Sequence, residues 1–128
     1  MKADAIIRKL EASLTPLGAF RSRPMFGGHG LYLDDVFFGL IAYDTLYLKT
    51  GKENRSDFIK AKSKPFSFES GRKGLVTTSY WQCPDAALTD ARKLQHWVGR
   101  ALDAARHAKA TKRDRKPRKT KRPAISAR

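Results

Sequence analysis

The side chains most ready for chemistry in this 128-residue sequence are cations gathered near one end. From Lys112 to Pro123 the order is Lys-Arg-Asp-Arg-Lys-Pro-Arg-Lys-Thr-Lys-Arg-Pro, with no apolar side chain to bury. Residues 109–128 hold ten Lys+Arg and one Asp, so they carry +9 of the formal +15 and leave +6 on residues 1–108. Clustered Lys and Arg of this density meet phosphate, whether of DNA, RNA or an anionic surface. The segment has no aromatic on which a base could stack. Contact through Lys112, Arg113, Arg115, Lys116, Arg118, Lys119, Lys121 and Arg122 is therefore expected to be independent of nucleic-acid sequence. Without apolar surface the segment cannot offset its ordering entropy, which predicts a disordered tail over 109–128. A tail that only aids solubility, or binds acidic protein partners, is the competing reading.

The remaining chemical candidates are weaker. Cys83 precedes Pro84 between a predicted strand and a predicted helix, where a helix N-terminus lowers a thiol's pKa. As a lone cysteine before proline it also reads as a small packed side chain. A small cysteine-dependent enzyme is thus the least favoured function. Gly27-Gly28-His29-Gly30 lacks the following helix and the Lys-Ser/Thr pair of a phosphate-binding loop, and reads as a bulge or tight strand entry that needs positive φ. His29, His96 and His107 show no metal-ligand spacing; His96 and His107 would stand about 16 Å apart along a helix. Asp34 and Asp35 are adjacent in a turn and diverge. No catalytic residue, metal site or cofactor is expected.

Composition bounds the class. The 41% hydrophobic and 10% aromatic content supports one folded domain over residues 1–108. No apolar run approaches the roughly 20 residues of a membrane-spanning helix, so no membrane partner is expected. The first residues lead into an amphipathic segment rather than a secretory signal, and one cysteine excludes an internal disulfide framework. Both features fit a reducing cytoplasm.

The elements that would position these residues follow from periodicity. Ile6, Ile7, Leu10 and Leu14 recur at helical spacing, predicting a helix over 2–14 that Pro16 and Gly18 end. Arg21-Ser22-Arg23-Pro24 reads as an extended basic lead-in. Strands follow at 31–33, 36–41 and 46–49, joined by tight turns at Asp34-Asp35 and Tyr43-Asp44-Thr45. A short helix over 53–62 precedes strands at 66–69 and 75–81, a turn at 84–88 and a last helix from Asp90 to the region before Pro117. The order α-β-β-β-α-β-β-α predicts an α+β fold with a five-stranded antiparallel sheet packed by helices. In 36–41 both faces are apolar. Strict alternation places Phe37 and Ile41 on the second face with Tyr32 and Tyr47, a surface that loops would cover or that a homodimer would bury.

The run Arg23-Pro24-Met25-Phe26-Gly27-Gly28-His29-Gly30-Leu31-Tyr32 resembles the N-terminal domain of the TfoX/Sxy family. The likeness continues through Asp34, Phe38, Leu40-Ile41-Ala42, residues 44–49, Asn54-Arg55, Phe58, Pro65-Phe66 and Ser79-Tyr80, over roughly residues 5–105. It implies an α+β fold similar to secretion chaperones, and a non-enzymatic role in regulating bacterial natural competence. The family's full-length members are thought to help the cyclic-AMP receptor protein activate transcription, which implies a transcription factor as partner. They carry a second, helical domain where this sequence has the basic tail. His29 and Asp35 depart from the family pattern, Asp35 standing at the glycine of an Asp-Gly turn.

Overall fold

Apolar residues recur at strand and helix spacing along much of this chain, and the computed structural model brings those stripes together. It describes residues 2–25 and 28–115, with side chains as far as residue 108. Helix α1 (Ala3–Leu14) buries Ile6, Leu10 and Leu14 on one face, and a 3₁₀ turn (Thr15–Leu17) containing Pro16 ends it. Six strands follow: β1 (Phe20–Met25), β2 (Gly28–Leu33), β3 (Val36–Ala42), β4 (Thr45–Lys49), β5 (Pro65–Ser70) and β6 (Gly74–Gln82). Helix α2 (Arg55–Lys60) lies between β4 and β5, and α3 (Asp85–Leu88) and α4 (Ala91–Arg115) close the described chain. The expected α+β class is the observed one.

The strands form one antiparallel sheet in the order β1-β2-β3-β4-β6-β5. It has six strands where the sequence predicted five, because the basic lead-in is itself β1. An edge strand shows only one side to a neighbour, so its Arg21, Arg23 and Pro24 are compatible with pairing. After β4 the chain passes through α2 to the far edge as β5, and β6 returns beside β4.

Both tight turns form as two-residue hairpins. Asp34 and Asp35 have φ of 50° and 65°, and Tyr43 and Asp44 have 52° and 57°. Their carboxylates also tie neighbouring segments: Asp34 Oδ1 accepts from the Ala19 amide at 2.9 Å and Asp44 Oδ1 from the Ala3 amide at 3.0 Å.

All the helices pack on one face of the sheet. Leu31, Leu33, Phe38, Ile41, Leu46 and Leu48 meet Leu10 and Leu14 of α1, Phe58 of α2 and Leu94, Val98 and Ala101 of α4 in a single core. The Phe58 ring stands edge-on to Trp97 at 4.9 Å, joining α2 to α4. Asp90 starts α4 by accepting from the Arg92 amide at 2.9 Å. The helix continues to Arg115, so the first part of the expected tail has helical backbone. The expectation of disorder beyond it falls on residues 116–128, outside the described residues.

Candidate functional site

The face of the sheet opposite the helices is built mainly of rings. Cross-strand partners share a face, so Tyr32 pairs with Phe37, Leu40 with Tyr47, and Lys49 with Tyr80. Tyr32 and Phe37 have centroids 5.1 Å apart, Phe37 and Tyr80 5.7 Å, Tyr47 and Phe66 5.0 Å, and Phe66 and Phe68 6.1 Å. None of these six aromatics belongs to the core. Five are half-buried and Phe68 is 44% exposed. The Lys49 ammonium lies 5.2 Å from the Tyr80 ring centroid and donates to Ser79 Oγ at 2.7 Å. Burial, and secondarily Tyr32, push the Tyr80 hydroxyl's pKa upward, so it stays a neutral donor.

Ile41 does not belong to this face. Between Leu31 and Tyr32 the β2–β3 register shifts: Leu31 opposes Gly39 and Tyr32 opposes Phe37, leaving Phe38 as an extra residue. The bulge inverts the alternation after it. Ile41 therefore turns into the core at 2% exposure, and Leu40 takes the outer face instead. Tyr32, Phe37 and Tyr47 stand together as expected; Tyr80, Phe66 and Phe68 join them. Their alternation was visible in sequence, but strand order was not.

At one end of this face a cleft of about 790 Å³ runs from Phe37, Lys49 and Tyr80 towards Lys52 and Arg55. Asn54, fully buried, braces the loop that lines it: its side chain accepts from the Gly51 amide at 2.8 Å and donates to the Lys49 carbonyl at 3.1 Å. His107 of α4 approaches Glu53 at 3.6 Å, and Arg100 bonds the Glu53 carbonyl and approaches Asp57 at 3.6 Å.

The other sequence candidates are placed as follows. Cys83 is buried, its Sγ donating weakly to the Pro84 carbonyl at 3.7 Å, and burial with nearby Asp85 pushes its pKa up to about 12. That is a stable thiol rather than an activated nucleophile. No three His, Cys, Asp or Glu side chains converge as a metal site among the described residues. Gly28 and Gly30 do not have positive φ, contrary to the expectation for that run. Gly28 is needed because a Cβ there would collide with the Ile41 carbonyl oxygen, whereas at Gly30 a Cβ would meet the flexible end of Met25 and the edge of the Phe37 ring. Arg23, Pro24 and Met25 lie on β1; Phe26 and Gly27 are outside the described residues. Of the tail cations, Lys112, Arg113 and Arg115 lie along the end of α4, while Lys116, Arg118, Lys119, Lys121 and Arg122 fall outside the described residues.

Comparison with known proteins decides the lineage. The family model described as TfoX N-terminal domain matches residues 12–105, from the last turn of α1 into the second half of α4. The chain belongs to this family. Its aromatic sheet face and bulge lie within the TfoX N-terminal domain so defined, and the cleft extends beyond it to His107 and Ala108. The chain is also 27% identical over 110 residues to Protein Sxy of Escherichia coli (strain K12), covering 85% of this chain and 52% of that protein. It thus spans about half the length of the curated relative it matches. In this TfoX N-terminal domain the motif residues Arg23 to Met25 and Gly28 serve strand pairing: Arg23 opposes Gly30 and Met25 opposes Gly28.

Proposed function

We propose that this protein is a cytoplasmic, non-catalytic regulatory or accessory protein that contacts nucleic acid through its basic C-terminal segment. The carrying observation is the ten Lys+Arg within residues 109–128, the first of them borne on a helix rooted in the domain core. Membership of the TfoX N-terminal domain family supports the regulatory side, and the burial of the Cys83 thiol argues against a cysteine-dependent enzyme. By family likeness the regulation is of competence type, with a transcription factor such as the cyclic-AMP receptor protein as partner. Phosphate contacts hold a protein on a polyanion without reading sequence, so promoter choice falls to that partner.

Retardation of duplex DNA by the full chain tests the reading. If about six tail cations reach phosphates, log affinity against log salt falls with a slope near −5, at ~0.9 per contact. Replacing Lys112, Arg113, Arg115, Lys116, Arg118, Lys119, Lys121 and Arg122 by Gln is expected to remove most of the affinity and flatten the slope. Unchanged affinity and slope would overturn the proposal. Retention of acidic proteins with no retention of DNA would favour the protein-interaction reading.

A further inference from the structure

We propose that the aromatic face of the sheet is a stacking platform for single-stranded nucleic acid. The proposal shares a polyanionic partner with the tail reading, but rests on other residues and is tested separately.

Two features of the face have to be explained together. The first is the band of rings from Tyr32 on β2 through Phe37, Tyr80, Tyr47 and Phe66 to Phe68 on β5, all outside the core. Among the described residues every helix packs its buried side chains on the other face, so this apolar surface has no intramolecular partner there. The second feature is its charge. Register places Arg21 and Arg23 of β1 and Lys49 of β4 on the ring face, opposite Tyr32, Gly30 and Tyr80. Among the described residues, none of the cross-strand partners on this face is Asp or Glu. Asp35, in the turn at its edge, pairs with Arg21.

A second copy of the chain fits the rings but not the charge. Face-to-face pairing would set Arg21, Arg23 and Lys49 of one copy against the same cations of the other, with Asp35 at the edge already engaged by Arg21, and like charges in an interface are costly. A single-stranded nucleic acid answers both features. Its bases stack on aromatic side chains, and its phosphates take the cations. A duplex keeps its bases inside its own stack and cannot use the rings. The cleft beyond Phe37, Lys49 and Tyr80 continues the path towards Lys52 and Arg55. Of the two acids that line it, Asp35 pairs with Arg21 and Glu53 is turned to His107 at 3.6 Å.

The test uses the full chain, labelled for NMR and titrated with a twelve-nucleotide oligothymidylate, the matching oligouridylate and a twelve-base-pair duplex. Saturable shifts of the ring signals of Tyr32, Phe37, Tyr47, Phe66, Phe68 and Tyr80 are expected with the single strands and not with the duplex. The two single strands distinguish DNA from RNA. Phe68→Ala, on an exposed position of an edge strand, is expected to weaken single-strand binding about tenfold and leave duplex binding unchanged. Shifts confined to residues 109–128 would overturn the platform and leave the tail reading standing. Absence of any shift would overturn both. Sedimentation as a dimer, with ring signals unmoved by oligonucleotide, would assign the face to a second copy instead. Should Phe68→Ala unfold, the shifts in the unaltered chain decide alone.

Discussion

Cys83 shows how burial settles the role of one reactive group. Its position before α3 could have offered an activated thiolate, but a thiol's reactivity cannot be read apart from its packing. The side chain is 2% exposed, and its pKa moves from the ordinary 9.0 to about 12. The folded state therefore holds the thiol proton more tightly than the unfolded chain. This contribution to stability is complete below about pH 9.0 and is lost as pH rises towards about 12. Urea unfolding between pH 8 and pH 11 is expected to show a steeper fall for the natural protein than for Cys83→Ala, by roughly 1.4 kcal/mol per pH unit at most. A thiol reagent at pH 8 is expected to label Cys83 slowly until denaturant is added; immediate labelling of the folded protein would contradict the burial.

At the scale of elements, the bulge in β3 and the glycines beside it decide which side chains face outward. The extra residue Phe38 fills the core against Phe20, ring centroids 6.4 Å apart, and passes the outer face to Leu40. Gly28 lets β2 approach the Ile41 carbonyl closely enough to hold that register, and the obstacle to a side chain there is backbone, which cannot swing aside. Gly28→Ala is expected to destabilise the fold by about 1–3 kcal/mol, the range for overpacking a fitted site. Gly71→Ala, in the β5–β6 turn with nothing within 4 Å of its would-be Cβ, is the matched control and is expected to change little. Equal denaturation midpoints for the two variants would refute the steric account.

For the whole molecule, β3 and β4 sit centrally, flanked on both sides by strands and covered by α4, while β1 and β5 are edges. Opening either edge exposes few core side chains; opening the centre exposes most of them. Hydrogen exchange is therefore expected to be slowest at Gly39 to Ile41 and Leu46 to Leu48, and faster throughout β1 and β5. Fast exchange within 36–41 would contradict the central placement. The same architecture bears on function. With all helices on one side, the molecule keeps one face for its own core and presents rings and cations on the other.

Local patterns were enough to read the helices, both hairpins and the α+β class, because periodicity, Asp-rich turns and prolines act within a few residues of themselves. The basic segment was equally plain, since charge density needs no fold to be counted. The sixth strand was not legible: Phe20–Met25 looks like any extended basic stretch until β2 supplies its pairing partner. Ile41 was misplaced for a similar reason, since a bulge is a relation between two strands and leaves no mark on the period of one. The candidate platform is the largest example. Tyr32, Phe37, Tyr47, Phe66, Phe68 and Tyr80 are spread over 49 positions of sequence. Only the return of β6 beside β4, with β5 carried to the far edge, sets their rings side by side. Sequence alone determined what each strand could show on its two faces; strand order and one inserted residue determined which side chains meet, because neighbours across a sheet are chosen by hydrogen bonding between distant segments.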